Sequence, residues 1–74
     1  MRQSRLGRYQ RLRAVLVEAR QAAGLTQADL AERLGKPQSY VAKYENGKRR
    51  IKVIEFLDIC QAIGIDSAEI LRRL

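Results

Sequence analysis

Apolar residues return at helical spacing along most of the chain. Leu12, Val15, Leu16, Ala19 and Ala22 or Ala23 follow the i, i+3, i+4, i+7 rule that places them on one buried face. Gly24 ends that stretch, because a residue free to take positive φ makes a good C-terminal stop. A second stripe follows at Ala28, Leu30, Ala31 and Leu34, with Glu32 and Arg33 directed outward. Thr26 is the expected N-cap, and Asp29, three residues later, adds a favourable carboxylate to the first turn. Gly35 then permits a sharp turn.

Pro37 fits the first position of a third helix, since it lacks the N–H that would be unpaired there and its φ is already helical. That helix is expected to run to about Glu45, where Asn46-Gly47 can take positive φ and stop it, before the basic segment Lys48-Arg49-Arg50. The fourth helix is the most apolar: Val53, Phe56, Ile59, Cys60 and Ile63 form a continuous face with Leu57 beside it, ended by Gly64. Asp66 or Ser67 can cap a last short helix holding Ile70, Leu71 and Leu74, the two leucines closing the core or meeting a partner. The expected fold is therefore all-α, with five helices, no strands and no internal repeat. Residues 1–11 read as a basic arm or an exposed first helix turn, and 12–74 as one domain.

Composition narrows what such a domain can do. A chain of 74 residues has room for one small core and little space for a buried active site as well. Fifteen Lys plus Arg against eight Asp plus Glu give a net charge of +7, which favours a polyanionic partner, nucleic acid or an anionic membrane. No apolar run approaches the roughly 18 to 20 residues of a membrane span, and no apolar signal core follows the basic N-terminus. A cytoplasmic location is expected. With a single cysteine, Cys60, and no histidine, neither an internal disulfide nor a zinc set is available, so no metal or cofactor is expected. Cys60 reads as a small core residue. Asp29, Glu32, Asp58 and Glu69 are spread over the helices as caps and solvent charges, and no nucleophile, base and oxyanion site converge, so an enzyme is not expected.

The helix pair at 27–34 and 37–45 carries the informative chemistry. A helix reads bases in the major groove when its outward face is polar and a neighbouring helix fixes its angle. Burying Val41 and part of Tyr44 leaves Gln38, Ser39, Ala42 and Lys43 outward. Glutamine can bond adenine through two groups, lysine can donate to guanine and serine is permissive, so Gln38, Ser39 and Lys43 are the candidate base readers. Tyr40 can touch a thymine methyl or a sugar, or pack on its own helix pair. Gln27, in the first turn of the second helix, is placed to clamp a phosphate, and Lys48, Arg49, Arg50 and Lys52 to hold the sugar-phosphate backbone. Glu45 needs a partner if it lies near phosphates; Arg20 or a backbone amide can supply one. The arginines at positions 2, 5, 8, 11 and 13 read equally as solubilising charge or as an arm that tracks DNA.

The order of these residues resembles the lambda-repressor and Cro-like helix-turn-helix family, the xenobiotic-response-element (XRE) family of bacterial and phage regulators. The resemblance runs from about Leu12 to Leu71, through Arg20, Gly24-Leu25-Thr26-Gln27, Leu30-Ala31, Leu34-Gly35, Ser39, Val41, Lys43, Glu45-Asn46-Gly47, Phe56-Leu57 and Ile63-Gly64. It implies that Gln27 and Asn46 meet phosphates, that Gln38, Ser39 and Lys43 face bases, and that the chain binds double-stranded DNA as a homodimer on a two-fold operator. Repression of a promoter is the leading expectation. An antitoxin controlling its own operon, with a toxin as protein partner, or a protein-interaction module on the same fold are the alternatives. Lys36 before Pro37, the bulky Tyr40 and the apolar Ala42 depart from the family pattern, so base preference does not transfer from relatives.

Overall fold

Ser4 starts the first helix: its side-chain oxygen accepts the Gly7 N–H at 3.0 Å, satisfying one of the free donors of the first turn. In this computed structural model, which describes residues 4–74, helix α1 runs Arg5–Ala22, α2 Gln27–Leu34, α3 Gln38–Glu45, α4 Val53–Ile63 and α5 Ser67–Arg72, with no strand among the described residues. Helix α1 thus begins at Arg5, so of the two readings of residues 1–11 the helical one holds from Arg5 onward. Residues 5–11 are helical although arginine-rich because tertiary bonds replace the missing apolar stripe: Tyr9 accepts the Ile51 N–H at 2.9 Å and Arg11 donates to the Arg73 carbonyl at 2.6 Å. The portion of the expected arm at residues 1–3 lies outside the described residues.

The turn chemistry follows the sequence closely. Thr26 accepts from the Asp29 N–H at 3.0 Å while the Asp29 carboxylate accepts from the Thr26 N–H at 2.9 Å, a closed capping box for α2. Gly35 takes φ 67° and lets the chain reverse into α3. Pro37 stands one place earlier than expected: with ψ 156° it is the extended N-cap residue of α3 and not its first helical residue, its carbonyl accepting the Tyr40 N–H at 3.0 Å. At the far end only Gly47 takes positive φ, 86°; Asn46 keeps φ −91° and uses its side-chain oxygen to accept the Lys48 N–H at 3.0 Å.

One core joins all five helices. Val15, Leu16 and Ala19 of α1, Leu30 and Ala31 of α2, Val41 and Tyr44 of α3, Phe56, Ile59, Cys60 and Ile63 of α4, and Ile70 of α5 are buried together. Ala28 is exposed, so the α2 stripe is narrower than its apolar residues indicate. Val53 is 75% exposed, although it shares the helical phase of Phe56, because it opens α4 where no other helix covers it. Ile54 and Leu57 continue the same solvent-facing side of α4, and Leu71 is exposed on α5. Ile70 alone carries the α5 contact into the core.

Candidate nucleic-acid interface

Helix α3 is anchored on one side and free on the other. Val41 and Tyr44 are buried, whereas Gln38, Ser39 and Lys43 are exposed and Ala42 is half-buried beside them. Positions 38, 39, 42 and 43 share one helical face, opposite 41 and 44. The structure therefore brings the three expected base readers onto one solvent-facing strip with Ala42.

A polar network fixes the angle of that strip. The Glu45 side chain, at the last residue of α3, is 7% exposed and receives two bonds from Arg20 of α1, Nε to Oε2 at 2.8 Å and Nη2 to Oε1 at 3.1 Å. Arg20 Nη1 also donates to the Leu25 carbonyl at 2.8 Å. Gln27 completes the set by donating Nε2 to Glu45 Oε1 at 2.8 Å, so its amide ties α2 to α3 from a half-buried position. Hydrogen bonding from Glu45 raises the Arg20 pKa despite burial, so the guanidinium is charged throughout. Three helices meet at this one carboxylate.

Tyr40 packs on its own helix pair. Its ring meets Tyr44 edge to face with centroids 6.1 Å apart, and it carries Arg49 at 5.0 Å and Lys36 at 5.6 Å on its faces. Burial, with the charge of Glu55, holds the Tyr40 hydroxyl above its ordinary pKa, so it stays a neutral donor. Arg49 is half-buried and pairs with Glu55 on α4, which distinguishes it from the exposed Lys48, Arg50 and Lys52. Asn46 is exposed at the same corner.

Two residues outside the sequence-level site hold the basic loop in place. Tyr9 accepts from Ile51 and lies within reach of the Arg49 carbonyl at 3.4 Å, while Arg50 stacks over its ring at 4.8 Å and Arg13 at 5.8 Å. Arg13 donates to the Glu45 carbonyl at 3.2 Å, binding α1 to the end of α3. The signal for both was periodic: Tyr9, Leu12, Arg13 and Leu16 fall at i, i+3, i+4 and i+7. It is hidden when only aliphatic residues are counted.

Two short helices crossing through a glycine turn, the second polar and solvent-facing along one side, define a helix-turn-helix domain. The helix-turn-helix family matches residues 16–70. An XRE-family like protein from Pseudomonas syringae pv. tomato DC3000 superposes with a TM-score of 0.86 at 56% identity, covering 89% of this chain and 80% of that one. The restriction-modification controller protein C.AhdI from Aeromonas hydrophila superposes at 0.76 with 32% identity, over 84% of this chain and 94% of that one. The clp gene regulator ClgR from C. glutamicum superposes at 0.80 with 26% identity, over 88% and 84%. An uncharacterised HTH-type transcriptional regulator of Sinorhizobium fredii, y4dJ, is 35% identical over 51 residues, 69% of this chain and 66% of that protein, so the match spans just under two thirds of that relative. The chain belongs to the XRE, lambda-repressor-like helix-turn-helix family of DNA-binding transcription regulators.

Proposed function

We propose that this domain is a sequence-specific reader of double-stranded DNA that represses transcription by occupying a two-fold operator as a homodimer. The observation that carries the reading is the strip Gln38, Ser39 and Lys43, exposed on a helix whose opposite face and C-terminus are locked by Val41, Tyr44 and the Arg20–Glu45–Gln27 network. A helix held this rigidly can enter the major groove at a fixed angle, which base recognition requires. In this reading Gln38, Ser39 and Lys43 contact base edges, and Tyr40 and Ala42 lie at the edge of the contact. Gln27, Asn46, Lys48, Arg49, Arg50 and Lys52 serve the backbone. Gln27 and Arg49 do so as positioned side chains, since each already holds a carboxylate, Arg50 does so from its place over the Tyr9 ring, and Lys48 and Lys52 supply exposed charge.

Selection of bound duplexes from a random pool, followed by titration of the winner and a scrambled control, tests this. A two-fold motif preferred by about a thousandfold or more is expected. Gln38→Ala and Lys43→Ala should each relax preference at particular base pairs, at a cost of about 1–3 kcal/mol on the best site. Equal binding to every duplex, changed uniformly by these substitutions, would leave electrostatics alone and sink the reading.

A further inference from the structure

We infer that the first two turns of α1 form a second grip on the DNA backbone, an arginine-rimmed groove that extends the contact past the helix-turn-helix. This rests on the reading of the domain as a DNA binder. The groove runs between α1 and the basic loop, with Tyr9, Leu12 and Leu74 as its floor and Arg5, Arg8 and Arg50 along its rim. It is built in place: Tyr9 holds the Ile51 N–H at 2.9 Å and Arg50 lies 4.8 Å above the Tyr9 ring, so the loop and the helix present their cations together.

Within the fold, the charges of Arg5 and Arg8 meet no carboxylate among the described residues. From Arg5 through Val17, α1 holds four arginines and no carboxylate. Arg11 and Arg13 are spent on the Arg73 and Glu45 carbonyls, whereas Arg5 and Arg8 are exposed and pair with no carboxylate among the described residues. Arg5 and Arg8 are one turn apart, near the positive end of the helix dipole, so each opposes both the dipole and its neighbour. Such a local conflict marks a place where an outside anion completes the arrangement. Guanidinium groups match phosphate bidentately, and Arg50 of the basic loop shares the groove with Arg5 and Arg8, so the anion it fits is the next stretch of the same backbone.

The test uses the full chain on the selected duplex and on a scrambled one. Arg5→Ala/Arg8→Ala should flatten the log–log salt slope by about two per bound protomer, so that between roughly 50 and 200 mM salt the wild type loses about tenfold more affinity than the variant for each bound protomer, about a hundredfold for a dimer. The ratio of selected to scrambled binding should stay constant, and Arg5→Lys/Arg8→Lys should keep most of the slope. An unchanged slope, or a loss confined to the selected duplex, overturns the proposal. A second arm needs no variant: the wild type should bind more tightly when the selected motif is extended by a few flanking base pairs of arbitrary sequence, and equal affinity for trimmed and extended duplexes overturns it. Salt-sensitive capture of polyglutamate that only the double alanine variant loses, with its DNA slope intact, would assign the groove to an acidic protein instead. If the wild type selects a motif but neither arm responds, the groove alone fails. If it binds no duplex at all, the proposed function fails with it.

Discussion

Glu45 shows how much one side chain can organise in so small a protein. Its carboxylate takes both forks of Arg20 and the amide of Gln27, with the Arg20 and Glu45 side chains only 11% and 7% exposed. A buried ion pair adds little to stability over an apolar substitute, but removing one partner leaves an uncompensated charge. Arg20→Ala should therefore destabilise the fold by about 3–5 kcal/mol in denaturant unfolding, while Arg20→Met with Glu45→Met costs less than either single change. Additive losses in that cycle would mean the pair is not coupled. This contact was half legible in the sequence: the need of Glu45 for a partner follows from charge alone, and Arg20 stood among the choices. That Gln27 joins them was not legible, because nothing local shows that its amide reaches a carboxylate 18 positions away.

Among the elements, helix ends were read well, whereas α3 starts one residue later than expected and α1 starts well before its aliphatic stripe. Caps and glycines act within three or four residues, so Thr26, Asp29, Gly24, Gly35, Gly64 and Asp66 disclose their roles locally. The start of α1 depends on Tyr9, Arg11 and Arg13 reaching partners more than thirty positions away, which local pattern does not contain. The opposite error occurred at Val53, whose apolar character and phase say core although no helix reaches it. Gly47, just past the end of α3, combines φ 86° with the Arg13 guanidinium 2.8 Å from where a Cβ would stand. Gly47→Ala should cost about 1–2 kcal/mol from the left-handed backbone and displace Arg13, read as a lowered midpoint in thermal unfolding.

The same caps set the acid behaviour of the elements. Hydrogen bonds from the Thr26 backbone and side chain hold the Asp29 carboxyl below its ordinary 3.8, and the Lys52 N–H with Arg49 holds Glu55 below 4.5. Both groups bind protons less tightly in the folded chain than in the unfolded one, so the unfolded chain takes up more protons in this range. Their contribution is complete above about pH 5 and is lost as pH falls through the depressed folded values. Asp29→Asn/Glu55→Gln should flatten the fall of stability between about pH 5 and pH 3 relative to wild type, measured by urea midpoints. An unaltered slope would place the acid sensitivity elsewhere.

For the whole molecule, size and charge set what the proposed two-fold operator demands of two copies on DNA. The domain measures 38 × 24 × 20 Å, so two copies fit side by side on one face of a duplex with their α3 helices about 34 Å apart, one helical turn. At that separation both strips face the same side of the groove. Inserting five base pairs between the half-sites turns one of them by about half a turn and carries it to the far side, where the second copy cannot follow without losing the first. The expected result is a fall in affinity to that of a single half-site, with loss of the steep binding isotherm of the intact operator. Because each copy brings the same +7, the salt slope should also drop by about half, an effect that an altered base sequence at constant spacing does not produce. Titration of spacing variants at two salt concentrations separates these outcomes. Equal affinity and equal slope at every spacing would make the chain a monomeric reader, and the two-fold operator would have to be abandoned while the roles of Gln38, Ser39 and Lys43 stood unchanged.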